Sequence, residues 1–304
     1  MSVGMHRPAT PSFYPGNQPY AHVQSPARTG EQVSKYIKNI TIPSQRQEAV
    51  QYLSINRDTI KGIGVQLWET PAVMVALLSD IMSIYPAITS VATVLSTYPS
   101  PLSIQHVVHV CNCIALLQSV ASASPEVRKG FISSNMPIYL FPFIHATNQI
   151  RECEMLKLAS LGVISCLAQS GESESIDYLI QYEFVPLCLR VLKFGDEINK
   201  IVASYIIAKV FSDKKGIQFL CCQNDHLETA LHILNKSVVD LNSQFSPRLS
   251  RNVCMAYESL LAVQDALPTI KKCAIAEIKD ALIATDTDFK RLYTSLLSLQ
   301  TKHE

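Results

Sequence analysis

The feature that most constrains this chain is a pattern that returns after 48 or 49 residues. The apolar run Ala115–Ser122 leads to a polar turn, then to Phe131 and Ile132, then to Met136, Pro137 and Leu140. The run Val163–Ser170 leads likewise to a polar turn, to Leu179 and Ile180, then to Val185, Pro186 and Leu189. A weaker copy, Ile206–Ser212 followed by Phe219 and Leu220, lies about 42 residues further on. Periods of roughly 40 to 50 residues with two or three helices per unit are those of armadillo and HEAT repeats. Stacking of such units buries apolar faces that no single unit can cover.

Helical signals fill the period. Segments 103–122 and 153–169 are apolar almost all the way round, with Glu154 and Lys157 the only charges in the second. Helices of that kind are packed on several sides. Segments 125–133 and 173–182 are amphipathic. Thr70-Pro71, Ser124-Pro125 and Ser246-Pro247 each place a hydroxyl before a proline, which suits a capped first turn. Together these signals predict helices near 30–40, 45–54, 71–84, 103–122, 125–133, 153–169, 173–182, 185–193, 197–211, 226–241, 247–262, 270–284 and 287–300. Residues 1–28 differ in kind, with five of the 16 prolines and no apolar period. Such a stretch cannot offset its ordering entropy, so a flexible Pro-rich tail is expected there, ahead of a repeat domain over 29–301.

Composition narrows the class. Ten glycines in 304 residues argue against Gly-rich phosphate and dinucleotide folds, and a net charge of +1 advertises no polyanion as global partner. The nine cysteines show no zinc spacing and read as buried reduced thiols. Positions 81–125 carry no Asp, Glu, Lys or Arg. Pro86, Pro99 and Pro101 break that stretch, however, and Gln105, His106, His109, Asn112 and Gln118 punctuate the rest. It reads as a helix buried in protein rather than in lipid.

The search for chemistry yields little. There is no nucleophile elbow, no phosphate loop and no H-E-x-x-H, and Gly62-Ile63-Gly64 lacks the third glycine of a dinucleotide site. His106, His109 and Cys113 share one helical face at a spacing that could present metal ligands, but no fourth ligand is near in sequence, and no metal is expected. Glu172 and Glu174 sit beside a helix start, where carboxylates favour the dipole. Lys157, Lys200 and Lys209, with Arg190 and Lys193, form a diffuse basic set that could meet phosphates or an acidic peptide if the inner helices line a groove.

Particular blocks carry a resemblance. They are Leu67-Trp68 ahead of Ile84-Tyr85-Pro86, Val110-Cys111-Asn112 with Ala115–Gln118, and Ser160–Ile164 followed by Ile180. Pro137–Phe143 and Val185–Arg190 complete the set. In this order they resemble the "required for cell differentiation" family, the armadillo-repeat subunit of the Ccr-Not deadenylase complex, over roughly residues 30–300 with an insertion around Ala87–Pro101. The resemblance implies an all-α, right-handed armadillo solenoid of about six repeats. It implies a non-catalytic adaptor, with no cofactor, that promotes deadenylation, decay and translational repression of messenger RNA. The expected partners are the complex's large scaffold subunit, short linear motifs of RNA-binding or repressor proteins, weakly bound single-stranded nucleic acid and a second copy in a homodimer, with no membrane. The expected location is cytoplasmic and nuclear. The alternative reading is a single-stranded nucleic-acid-binding repeat protein or transcriptional cofactor.

Carried over by position, the resemblance places Lys157, Gly162, Lys200 and Val202 in a peptide groove and makes Arg248 a further basic position. Family features are missing elsewhere. Asn224, His226 and Asp265 stand where a tryptophan pocket has an aromatic residue and arginines. Met155 stands for a groove tyrosine, and Glu69 and Pro71 for a histidine and phenylalanine on the scaffold-facing side.

Overall fold

Two left-handed turns one repeat apart mark the units. Asn135 (φ 53°) and Glu183 (φ 57°) are the non-glycine positive-φ residues among those described. The Tyr182 hydroxyl donates to Asn135 Oδ1 at 2.8 Å, tying one turn to the next. The computed structural model describes residues 30–93, 102–222, 224–273, 283 and 286–301. The expected tail over 1–28 and residues 94–101 of the expected insertion lie outside the described residues.

The helices are α1 (Gly30–Asn39), α2 (Pro43–Asn56), α3 (Ile63–Trp68), α4 (Pro71–Met82), α5 (Tyr85–Thr93), α6 (Ile104–Ala121) and α7 (Pro125–Ser133). A 3-10 turn, Met136–Leu140, runs into α8 (Phe141–His145). Then come α9 (Arg151–Ser170), α10 (Ser173–Gln181), α11 (Phe184–Phe194), α12 (Glu197–Phe211), α13 (Lys214–Cys221), α14 (Asn224–Ser243) and α15 (Pro247–Leu261). A second 3-10 turn, Gln264–Ala266, precedes α16 (Leu267–Lys272), and α17 (Thr287–Thr301) closes the described chain. No strand occurs among the described residues.

These elements stack in three rows. The long helices form the inner row, α2 on α6 on α9 on α12 on α15 on α17, with α6, α9 and α12 the apolar ones at its centre. The short amphipathic helices α7, α10 and α13 form a second row, and α8, α11 and α14 a third. Helices α6, α9 and α12 are apolar because both lateral neighbours and the outer rows cover them: Cys153, Leu156, Leu161, Ile164 and Leu167 of α9 are all buried. The result is an all-α armadillo-type solenoid with one continuous core. Two stretches, Pro71–Thr89 and Ile104–Ala121, are long and apolar enough to span a membrane. The first is interrupted between α4 and α5, and the second is the inner helix that α2, α3, α4 and α9 enclose.

Close approach explains one glycine. A Cβ on Gly64 would lie 2.1 Å from the Ser119 carbonyl oxygen, so only glycine lets α3 cross α6 at that point. Prolines behave differently from their sequence reading. Pro86 breaks nothing: it occupies the first turn of α5, where its missing N–H is not needed. Of the three hydroxyl-proline starts, all have proline in the first turn, yet only Ser124 caps, its Oγ accepting from Val127 N at 3.4 Å. Thr70 instead donates back to the Gln66 carbonyl at 3.0 Å, and Ser246 makes no cap bond. The helix expected over 270–284 starts earlier, as α16, and its remainder from 274 to 282 lies outside the described residues.

Candidate functional site

The inner row exposes one stripe per helix. On α6 the outward positions are Ile104, Val108 and Asn112; on α9, Met155 and Ala159; on α12, Ile198, Ile201 and Tyr205; on α15, Arg248, Arg251 and Met255. The spacing of three and four residues keeps each set on one face, and the four sets lie side by side because the helices do. The stripe is largely apolar: Ile104, Val108 and Ile198 are 43%, 42% and 39% exposed. Between α2 and α6 it deepens into a pocket of about 210 Å³ lined by Gln47, Gln51, Ile104, Val108 and Asn112.

The groove residues expected from the resemblance fall in three different settings. Gly162 is buried in mid-α9, where a Cβ would meet the Gln118 side-chain amide at 3.4 Å. Gln118 in turn reaches across to Cys166 Sγ at 3.8 Å. Val202 and Lys157 are not on the exposed stripe. Val202 is 1% exposed, turned about 100° from Ile201. Lys157 stands two residues, about 200°, from Met155, and points between the layers. There its ammonium donates to Glu154 Oε1 at 2.6 Å, while Glu154 Oε2 accepts from Asn199 Nδ2 at 2.7 Å. All three side chains are buried, so this is a cross-repeat pin between α9 and α12 rather than an open cation.

Lys200 donates to Asp240 of α14 at 3.0 Å, at the edge of the stripe. Arg248 is exposed in the first turn of α15. Lys209 lies 5.7 Å from the Tyr205 ring centroid. A second pin repeats the Asn199 arrangement one unit later: Asn252 Nδ2 donates to the Ser204 hydroxyl at 2.9 Å and the Ile201 carbonyl at 3.1 Å.

The positions of the expected tryptophan pocket gather near the end of α13. His226 packs on Phe219 with ring centroids 5.4 Å apart. Asp265 is exposed in the second 3-10 turn. It lies close enough to Cys221 that, after burial, its carboxylate is the next cause raising that thiol's pKa. Asn224 opens α14. On the N-terminal side Glu69 and Pro71 are exposed, and Val75 of α4 is 67% exposed beside them in sequence.

The possible ligand cluster regroups. His106 leaves it and pairs with the Ser83 hydroxyl at 2.8 Å. His109 instead meets Asp80 of α4, with 2.8 Å between Nε2 and Oδ2, and Asp80, His109 and Cys113 bring their ligand atoms within 4.8 Å of one another. The arrangement is already satisfied as an ion-pair network, because Arg46 Nη1 donates to the other Asp80 oxygen at 2.9 Å. Burial, with the Asp80 charge adding to it, pushes the Cys113 thiol well above its ordinary pKa. Cys111 is likewise raised to about 12 by burial.

Comparison with known proteins accords with this architecture. The model of the Rcd1-like cell differentiation family matches residues 36–299. "Cell differentiation protein rcd1" of Schizosaccharomyces pombe is 32% identical over 263 residues, covering 86% of this chain and 89% of that protein. "Protein CAF40" of Saccharomyces cerevisiae is 31% identical over 270 residues, covering 87% of this chain and 70% of that protein. Among solved structures, a designed armadillo repeat protein in complex with the peptide (KR)4 superposes with a TM-score of 0.63 at 15% identity, over 88% of this chain and 99% of that one. Another designed armadillo repeat protein gives 0.60 at 14%, over 88% and 99%. The repeat period, the three-row stack and the match along nearly the whole described chain lead to one conclusion: this chain belongs to the Rcd1-like cell differentiation family.

Proposed function

We propose that the chain is a non-catalytic adaptor of the Ccr-Not deadenylase complex. It holds the complex's large scaffold subunit through its N-terminal helices and takes short linear motifs of RNA-associated regulators along the inner stripe. The observation that carries this reading is the largely apolar stripe Ile104–Val108, Met155–Ala159, Ile198–Tyr205 and Met255, edged by Arg248 and Arg251, which suits one face of an amphipathic helix laid across successive repeats. Family membership supports the assembly, and the exposed Val75 and Ile55 support a docking face among the first helices. Recruitment then acts by proximity: a regulator bound to the stripe raises the local concentration of nuclease at its messenger RNA. The nucleic-acid alternative loses two of its cations, since Lys157 and Lys200 are both committed to carboxylates.

The test is affinity purification of the tagged full chain from native extract. Stoichiometric recovery of one large helical scaffold protein together with deadenylase activity, stable in high salt, is the expected result. Recovery of nucleic acid alone, lost on raising salt, overturns it. Met155→Glu then checks the stripe, with short amphipathic regulator peptides losing binding while the scaffold protein is retained.

A further inference from the structure

A cleft of about 290 Å³ opens where the ends of α8 and α11 meet, and its lining shares no residue with the inner stripe. Its walls are apolar, formed by Ile144, Ala146 and Val191, and its mouth is closed on one side by Phe194 and Gly195. The turn after α8 and the turn after α11 are held together there by Gln149 Nε2, which donates to the Phe194 carbonyl at 2.9 Å. The cleft is therefore built by cross-repeat contacts rather than left between loose loops.

Its charge is one-sided. Arg190 lines the wall, oriented by hydrogen bonding to the His145 carbonyl. Lys193 and Lys236 place their ammonium groups 5.0 and 5.8 Å from the Phe194 ring centroid. Among the described residues none of these three cations forms an ion pair with a carboxylate, whereas their neighbours do: Glu154 is committed to Lys157, and Asp240 to Lys200. Asp196, next in sequence to the mouth, caps α12 by accepting from Asn199 N at 2.8 Å. Lys157, 5% exposed and held by Glu154, lines the floor.

Phe194 is 55% exposed. A single exposed phenyl means little. Here it stands at an apolar cleft among cations lacking counter-charges, which defines a ligand chemistry. We propose that this edge cleft binds a short acidic peptide segment that carries an apolar or aromatic side chain. The side chain enters between Ile144 and Val191 against Phe194, and flanking carboxylates meet Arg190, Lys193 and Lys236. Nucleic acid fits less well, because a base stacking on Phe194 has to displace ammonium groups already on the ring, whereas carboxylates bind those groups where they stand. The site is distinct from the inner stripe and does not depend on the assembly reading.

Fluorescence anisotropy with the full chain tests it, using a labelled Glu-Glu-Leu-Phe-Glu-Glu probe. Matched Gln-Gln-Leu-Phe-Gln-Gln and Glu-Glu-Ala-Ala-Glu-Glu peptides and a labelled oligouridine complete the set. Binding is expected for the first probe alone. It should weaken with salt and fall about tenfold or more in the exposed double variant Lys193→Glu/Lys236→Glu. A milder fall, several-fold, is expected for Phe194→Ala, and none for Met155→Glu on the inner stripe. Because these three side chains are partly or largely exposed, unchanged circular dichroism is expected to accompany the losses. Probe binding indifferent to the double reversal, equal binding of the glutamine peptide, or oligouridine binding lost with the same substitutions in place of peptide binding overturns the proposal.

Discussion

Arg46 and His109 hold the Asp80 carboxylate from both oxygens, at 2.9 and 2.8 Å, and all three side chains are no more than 20% exposed. Burial works against ionising Asp80, but the hydrogen bonds from His109 and Arg46 outweigh it and leave its pKa lowered. A group with a depressed folded pKa stabilises the protein above its unfolded pKa, and that contribution is lost as pH falls through the folded value. Asp80→Asn should therefore cost about 2 kcal/mol at neutral pH, less than a fully dry pair because water still reaches the three side chains. The gap between variant and wild type should shrink as pH is lowered from 6 toward 3. Denaturant titrations across that range check it, and a gap that widens in acid rejects the assignment. The sequence showed His109 and Cys113 on one face because i and i+4 are local. It could not show Asp80, which arrives from another helix. Direction around a helix was lost in the same way: Lys157 and Val202 sat in the right helices, but the turn from Met155 and Ile201 carries them into the interior. The cross-repeat pins, Glu154 with Asn199 and Asn252 with Ser204, join residues 45 and 48 apart and had no local signature.

At the scale of elements, caps separate what composition makes look alike. Ser124 and Ser246 both precede a proline that starts a helix, yet only Ser124 accepts from a first-turn amide. Ser124→Ala should cost about 1 kcal/mol, and Ser246→Ala less than half of that. Thermal unfolding of the two variants distinguishes them, and equal losses would mean that the hydroxyl at Ser124 is not acting as a cap. The long inner helices were legible because a run apolar on every side can only be an enclosed helix, and their boundaries fell within a few residues of α6, α9 and α12. The short elements α3, α5 and α8 were not. Six residues of α3 are too few for a period to appear, and Pro86 reads as a break although it sits in a first turn. Proline ends helices that come before it and begins helices that come after it, and sequence alone does not say which.

Across the whole molecule, polar contacts recur at about one repeat. Arg128 reaches Glu172, Lys129 reaches Glu174 and Lys272 reaches Glu228, at separations of 44, 45 and 44 residues. Such a stack has no long-range closure, so its stability is a sum of unit terms and nearest-neighbour interfaces. The interface between α9 and α12 is the place to break it, because the Glu154 carboxylate serves both Lys157 in its own helix and Asn199 in the next. Glu154→Ala leaves a buried ammonium and a buried amide without that partner and should cost about 3 kcal/mol. Replacing the pair together, Glu154→Leu with Lys157→Met, removes the stranded charge and should recover most of the loss. In a nearest-neighbour stack the damage is local. Amide exchange in Glu154→Ala should accelerate first in α9 and α12, then in α6 and α15, with α2 and α17 changed little. Uniform acceleration in every helix would show instead that the solenoid opens as one cooperative body. A ligand could then not loosen one repeat interface without unfolding the rest. The expected gradient gives the inner stripe a different property: a peptide lying across α9 and α12 would bridge the same interface that Glu154 pins, and would protect those two helices above all others.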